Sequence, residues 1–143
     1  EASAMSELVQ PDAIPFLLEA AAVRWPDVMV SDIAPSGPDL NWSKPVILLY
    51  EQDVYRLSDV SWSQTVGYRV MAGSREYPDP ARKIAREVES FLWAAPKLAG
   101  ANPVAAALDS SGPNLVPDEH EAAVLYGTVD LVVAGVYAPA KTG

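Results

Sequence analysis

The chain has 143 residues, among them no cysteine and a single histidine, His120. Without cysteine there can be no disulfide, no thiolate zinc site and no cysteine nucleophile. One histidine cannot build a multi-histidine metal site, and a Ser-His-Asp triad would have to use it. Motifs typical of nucleotide, metal and nucleophile sites are also missing, namely GxGxxG, GxxxxGKS/T, HExxH, the EF-hand loop and GxSxG. We therefore expect neither an enzyme nor a cofactor or bound metal.

Basic side chains are scarce, because ten Lys and Arg face nineteen Asp and Glu, for a net charge of -9. Such a chain is a poor nucleic-acid binder, since Lys and Arg supply most of the affinity for phosphates. Long hydrophobic runs are missing as well: residues 45–50 and 129–136 fall short of the roughly 20 that a membrane helix needs. Glu1 and Glu7 stand where a secretory signal would carry Lys or Arg. We expect no membrane segment and no signal peptide.

Two segments have the period of amphipathic helices. Residues 11–25 place apolar side chains three and four positions apart, and Pro26 follows them. Residues 80–93 do the same, with Asp79 as the expected N-cap and Pro80 in the first helical position. The expected inner stripe of this second helix consists of Ala81, Ile84, Ala85, Val88, Phe91 and Leu92.

The remaining patterns favour strands separated by loops. Short strands are predicted at residues 28–33 and 45–50, the latter buried on both faces. Residues 51–60 resemble a hairpin arm, and residues 62–72 alternate as a half-buried strand does. Residues 34–43 and 94–121 are rich in Pro and Gly and predict loops, with a helical turn near residues 104–108. Residues 122–137 predict one long final strand.

The order of these elements predicts an α+β fold, a mostly antiparallel sheet with two helices packed on one face. Half of the residues are hydrophobic, which suffices for one core at this length. We expect a single domain over residues 1–143, with flexible termini at 1–7 and 139–143.

Two polar segments invite a catalytic interpretation. A metal site or an acid-base site could use Asp118, Glu119, His120 and Glu121. Neighbours in an extended segment point to opposite faces, however, which favours a solvated loop. Asp109, Ser110, Ser111 and Gly112 contain hydroxyls, yet turn chemistry explains the same residues. The rival to a non-catalytic protein is a small hydrolase or ligand-binding domain in which His120 acts with Asp118 or Ser111.

Aromatic and basic side chains fit surfaces that bind proteins. Trp25 and Trp93 are expected to cap the core, whereas Trp42 and Trp62 are expected at loop edges, where they suit an interface or a ligand shelf. Arg82, Lys83 and Arg86 form a small basic patch on the second helix. Such a patch could bind phosphate, but it is interpreted as an ordinary helix face paired with Glu87 and Glu89, or as a surface satisfied by an acidic neighbour subunit.

Three stretches together carry a family resemblance. They are PFLLEAAAVRWPDVMVSDIAP, GYRVMAGSREYPDPARKIAREVESFL and SSGPNLVPDEHEAAVLYGTVDLVVAG. In this order, over roughly residues 8–138, the chain resembles tail-terminator proteins of long-tailed phages that infect actinobacteria. Other small neck and connector proteins of these virions share the architecture, so a head-completion or connector ring protein is the nearest alternative.

The resemblance implies a ring, usually of six copies, at the head-proximal end of the tail tube. Such a ring stops tube polymerisation and docks to the head-completion or neck protein, and the family has no catalytic residues. Its partners would be further copies of the chain, the major tail tube protein and the neck protein, with assembly in the host cytoplasm and a final place in the virion.

A ring also sets expectations for surfaces and charge. The expected contact residues are Trp42, Tyr55, Leu57, Trp62, Arg82, Arg86 and Leu115, most of them in the long predicted loops. Six copies would carry six times -9, or -54. We expect part of this charge to line the lumen or the outer wall; in the lumen it would let DNA slide through without specific binding.

Overall fold

The computed structural model describes residues 7–34, 44–116 and 122–137. Over these ranges the chain has the predicted α+β fold, and none of the helices there is long and apolar enough to cross a membrane. The predicted loop at 34–43 and both predicted flexible termini lie almost wholly outside the described residues. The elements in chain order are β1 (Leu8–Val9), α1 (Ile14–Arg24), β2 (Met29–Ser31), β3 (Val46–Arg56), β4 (Ser61–Ala72), α2 (Asp79–Trp93), a 3₁₀ turn (Ala95–Lys97), β5 (Val104–Leu115), β6 (Ala123–Ala134) and β7 (Val136–Tyr137).

Five strands form one twisted sheet in the order β2-β3-β4-β6-β5. Only the β2–β3 pair is parallel, and the other three pairs are antiparallel. β3 and β4 make the predicted hairpin, in which residues 51–56 belong to the first arm and residues 57–60 form the turn. β1 and β7 form a separate antiparallel ribbon in which Leu8 pairs with Tyr137 and Val9 with Val136. The main sheet therefore has β4 at its centre, and β5 and β2 at its edges.

Both helices pack on the same face of this sheet, as predicted, and we call it the helix face. A single core joins α1 through Leu17 and Ala21, and α2 through Ala85, Val88 and Leu92, to the sheet. Fully buried sheet residues on this face include Ile47, Leu49, Val66, Tyr68, Val70, Val129, Leu131 and Val133. The predicted stripe of α2 is confirmed, with Ile84 and Phe91 half-buried at its margins.

The start of α1 is fixed to the sheet by one buried amide. Gln64 on β4 is fully buried; its Oε1 accepts the Ala13 N–H at 3.0 Å, and its Nε2 donates to Asp12 Oδ1 at 2.9 Å. Asp12 also accepts the Ile14 N–H at 3.0 Å. The helix therefore begins three residues later than predicted. α2 begins one residue earlier than predicted, so Asp79 lies in its first turn and is not the N-cap.

The prediction that residues 62–72 form a half-buried strand is wrong in one respect. β4 is buried on both faces for most of its length, with Arg69 its single exposed residue. On the face away from the helices, which we call the outer face, Met71 packs with Val46, Leu48 and Val124 in a second, smaller cluster. A central strand flanked by two long neighbours loses water on both sides, which alternation alone cannot reveal.

The prediction of a long loop at residues 94–121 is wrong for residues 104–115. Residues 104–115 form the edge strand β5, and the expected helical turn at 104–108 is part of it. Its pairing with β6 is interrupted at three register shifts, between Val104 and Ala106, Ala107 and Asp109, and Ser111 and Asn114. An irregular edge strand tolerates Gly and Pro that a central strand would not, which explains the loop-like composition.

Candidate interaction surfaces

Exposed apolar side chains are concentrated where the β3–β4 hairpin turns. Tyr55, Leu57 and Val60 are 52%, 43% and 54% exposed. At the same end of the sheet, beyond the last residue of β6, Val136 and Tyr137 are 49% and 69% exposed. The Gly135 N–H donates to the Val60 carbonyl at 2.7 Å, so the two segments are adjacent. We call Tyr55, Leu57, Val60, Val136 and Tyr137 the hairpin end.

Local hydrogen bonds hold the hairpin turn in one shape. The Leu57 N–H donates to the Ser61 carbonyl at 3.0 Å, and the Ser58 and Ser61 hydroxyls share a hydrogen bond at 2.7 Å. The Val60 N–H donates to Ser58 Oγ at 3.2 Å. The Arg56 guanidinium donates to the carbonyl of Ser58 at 3.2 Å. The apolar side chains are thus presented by a turn that is already ordered, which reduces the entropy lost on binding.

Trp62 does not belong to this surface, contrary to the expectation that it lies at a loop edge. It is within β4 and only 6% exposed. The Arg56 guanidinium lies 4.4 Å from the centre of its ring. A Cβ added at Gly135 would come within 2.9 Å of the same ring, so the glycine lets the chain pass close to it. Trp62 is therefore a core residue that supports the hairpin end from beneath.

A row of acidic side chains crosses the outer face. Asp53 on β3 pairs in register with Thr65 on β4, Thr65 with Asp130 on β6, and Asp130 with Asp109 on β5. The Thr65 hydroxyl donates to Asp130 Oδ1 at 2.7 Å. Ser63, two residues before Thr65 on the same face, is fully buried, and its hydroxyl has no partner among the described residues. We call Asp53, Asp109 and Asp130 the acidic row.

The basic patch on α2 is only partly neutralised. Arg82 pairs with Asp79 at 3.8 Å, an exposed i, i+3 pair. In the part of the chain that the structure describes, Lys83 and Arg86 have no carboxylate within 4.0 Å. The expected pairing with Glu87 and Glu89 is wrong. Those carboxylates instead accept hydrogen bonds from Trp25 Nε1 at 3.4 Å and the Ser110 hydroxyl at 2.9 Å.

A groove extends the basic patch toward α1. It has a volume of about 490 Å³ and is lined by Arg24, Arg86, Glu87, Ser90, Phe91 and Ala94. Trp25, which is 6% exposed, meets the Phe91 ring edge-on at 5.2 Å and so joins the two helices, as its expected role in capping the core requires. The Arg24 guanidinium lies over the Trp25 ring at 4.7 Å. We call Arg82, Lys83, Arg86 and Arg24 the basic face.

The other residues singled out from the sequence are scattered. Leu115 is 44% exposed but lies at the far end of β5, paired with Leu125 and away from the hairpin end. Trp93 is 40% exposed, so it caps the core only in part. Ser111 is exposed on β5, opposite Thr128. Trp42 and the residues Asp118, Glu119, His120 and Glu121 lie outside the described residues.

The acidic row is not visible in the sequence, because its members come from β3, β5 and β6 and meet only through the strand register. Within the described ranges, no group of three or more Asp, Glu or His side chains is placed to hold a metal ion. No family model and no curated protein shows significant similarity to the sequence. The chain's own surfaces and its residue patterns are therefore what support a functional proposal.

Proposed function

We propose that the chain is a structural virion protein that forms a ring at the head-proximal end of a phage tail tube. In this role it stops tube polymerisation and docks the tail to the neck or head. The observation that carries the proposal is the hairpin end, five exposed apolar side chains on an ordered turn and its neighbouring segment. Apolar groups gathered at one surface are typical of a protein–protein contact. The resemblance in residue pattern to tail terminators supplies the identity of the partner.

The charge of the chain suits a ring through which DNA passes. A net charge of -9 repels phosphates and disfavours specific binding. The partners under this proposal are further copies of the chain, the tube protein and the neck protein. We assign the hairpin end to the tube, because its exposed apolar side chains suit a protein–protein contact.

The proposal is tested by growing tail tubes from the purified tube protein while adding this protein in small molar amounts. A terminator binds a tube end and shortens the tubes at ratios far below one copy per tube subunit. Sedimentation and electron microscopy measure tube length and the protein bound at tube ends. Tubes of unchanged length with no bound protein would contradict the proposal. Binding to tail-less heads but never to tubes would instead favour a head-completion or connector protein.

A further inference from the structure

We propose that neighbouring copies join head to tail, the outer sheet face of one copy packing on the basic face of the next. This inference rests on the proposed ring and names the contact that builds it. In the described part of the chain, both helices cover the helix face, and none covers the acidic row on the outer face. The partner that we assign to that open face is a second copy of this chain.

The carboxylates of the acidic row repel one another in an isolated chain. Asp109 and Asp130 stand directly opposite each other on adjacent strands, and like charges in such pairs repel. Asp53 adds a third carboxylate two strands from Asp130. A cationic surface laid across these strands would remove the repulsion. The α2 patch is such a surface, because Lys83 and Arg86 have no carboxylate within 4.0 Å among the described residues.

The carboxylates of the acidic row and the cations of the basic face are spaced at similar distances. Adjacent strands lie about 4.8 Å apart, so Asp109 and Asp130 are separated by about that distance. Lys83 and Arg86 are three residues apart and so neighbours on the surface of α2, about 4.5 Å apart along its axis at 1.5 Å per residue. An α2 helix that runs across the strands would therefore bring its cations to successive carboxylates. Arg24, which lines the same groove as Arg86, adds a further cation to the basic face.

This contact has the symmetry that a ring needs. It uses two different surfaces of each copy, so every copy offers one acidic and one basic side, and successive copies can close into a ring. It also explains how chains with a net charge of -9 associate, since the charges that meet are opposite. The hairpin end takes no part in the contact and stays available to the tube.

The test reverses the charge of each side in separate variants of the full chain. The sheet variant carries Asp53→Lys and Asp109→Lys, and the helix variant carries Lys83→Glu and Arg86→Glu, all at exposed positions. Matched controls reverse the exposed Asp27 and Lys97, which lie outside both surfaces, as Asp27→Lys and Lys97→Glu. Light scattering and tube-capping electron microscopy measure assembly, and circular dichroism checks folding.

Each reversed variant alone should need roughly tenfold or more protein to assemble, because like charges then face each other at the contact. The controls should assemble as the wild type does. An equimolar mixture of the two variants should recover rings, since the reversed sheet of one copy meets the reversed helix of the other. A chain carrying all four reversals should also recover. Recovery in the mixture requires a contact between copies and excludes one within a single copy.

If both reversed variants form rings as readily as the wild type does, or if the mixture shows no recovery, this contact is overturned. The proposed ring would still stand. A wild-type protein that never assembles, even with tubes present, would overturn the contact together with the proposed function. If a reversed variant fails to fold, wild-type assembly at rising salt decides the question. Screening should weaken a contact between opposite charges, and rings unaffected by 1 M salt would contradict it.

Discussion

The ring of Tyr68 on β4 lies across Gly127 on β6, its direct partner in the strand register. A Cβ at Gly127 would collide with the Tyr68 hydroxyl and would lie 2.7 Å from the Ser111 carbonyl oxygen. The same arrangement recurs on the outer face, where the ring of Tyr50 lies across its partner Gly67. Each glycine thus makes room for an aromatic ring on the neighbouring strand, but Tyr68 is fully buried and Tyr50 is not.

This difference predicts unequal costs for two glycine substitutions. Gly127→Ala should lower the free energy of unfolding by about 1–3 kcal/mol, because the buried Tyr68 ring and the Ser111 backbone cannot move aside. Gly67→Ala should cost less, since the collision at 2.5 Å involves the far end of the half-buried Tyr50 side chain, which can rotate toward solvent. Urea denaturation of both variants measures the two costs. Equal costs, or a more harmful Gly67→Ala, would refute this reading of the two pairs.

The Tyr68 hydroxyl gives a prediction about pH. It is buried and has no hydrogen-bond partner among the described residues. Burial, helped by the negative charge of Glu89, raises the pKa of Tyr68 well above its ordinary value of 10.0. Above about pH 10 the unfolded chain releases a proton that the folded chain keeps, so stability should fall as pH rises.

Tyr68→Phe should remove that part of the alkaline loss. At neutral pH it should leave stability unchanged or raise it by about 1 kcal/mol, because the substitution deletes an unsatisfied polar group. Thermal unfolding between pH 7 and 11 checks both effects, with Tyr77→Phe as the control because Tyr77 is 56% exposed. A loss of several kcal/mol at neutral pH would show that the hydroxyl has a partner that stabilises the fold.

We expect the stability of the fold to depend strongly on the amide nitrogen of Gln64. Its amide nitrogen donates to both Asp12 at 2.9 Å and Glu51 at 3.1 Å. Gln64→Glu would place a third carboxyl beside those of Asp12 and Glu51 and would remove the amide that donates to them. It should destabilise the fold by about 3 kcal/mol or more at neutral pH. Crowding by like charges raises the pKa of the introduced carboxyl, so stability should return as pH falls.

The matched variant is Gln64→Leu, which removes the polar contacts without adding a charge. It should cost about 1–3 kcal/mol at every pH, because the Ala13 N–H loses its buried acceptor. Chemical denaturation at pH 5 and pH 8 separates the two variants. A Gln64→Glu protein equally stable at both values would argue against the three-way contact.

The hairpin end predicts a loss of function without a loss of fold. Leu57→Asp with Val60→Asp should change stability by less than about 0.5 kcal/mol, since both side chains are exposed. The same pair should abolish tube shortening, because it puts two charges into an apolar contact. Val23→Asp is the control, as Val23 is 79% exposed on α1 and far from the hairpin in the fold. Tubes shortened normally by the double variant would remove the hairpin end from the contact.

The helix α2 is the most predictable part of the fold. The apolar stripe of α2 repeats every three to four residues and is bounded by proline, so its position follows from local pattern to within one residue. β3 and β4 were predictable for the same reason, since each alternates or is continuously apolar. The burial of β4 on both faces was not, because it depends on strands β3 and β6 that lie far apart in sequence.

The edge strand and the acidic row could not be predicted from the sequence, and the reason is physical. Gly112 and Pro113 in β5 are typical of loops, and only pairing with β6 makes them part of a strand. The acidic row exists because the register aligns Asp53, Asp130 and Asp109, which no local pattern records. The sequence predicts Trp62 at a loop edge, yet it lies within β4, where Arg56 and Gly135 enclose it.

Electron microscopy of tail tubes grown in the presence of the wild-type protein tests the ring most directly. We expect one closed ring of several copies at a single end of each tube, with tube growth arrested there. Tubes with bare ends, beside a protein that stays monomeric at every concentration, would contradict the ring and the function proposed for it.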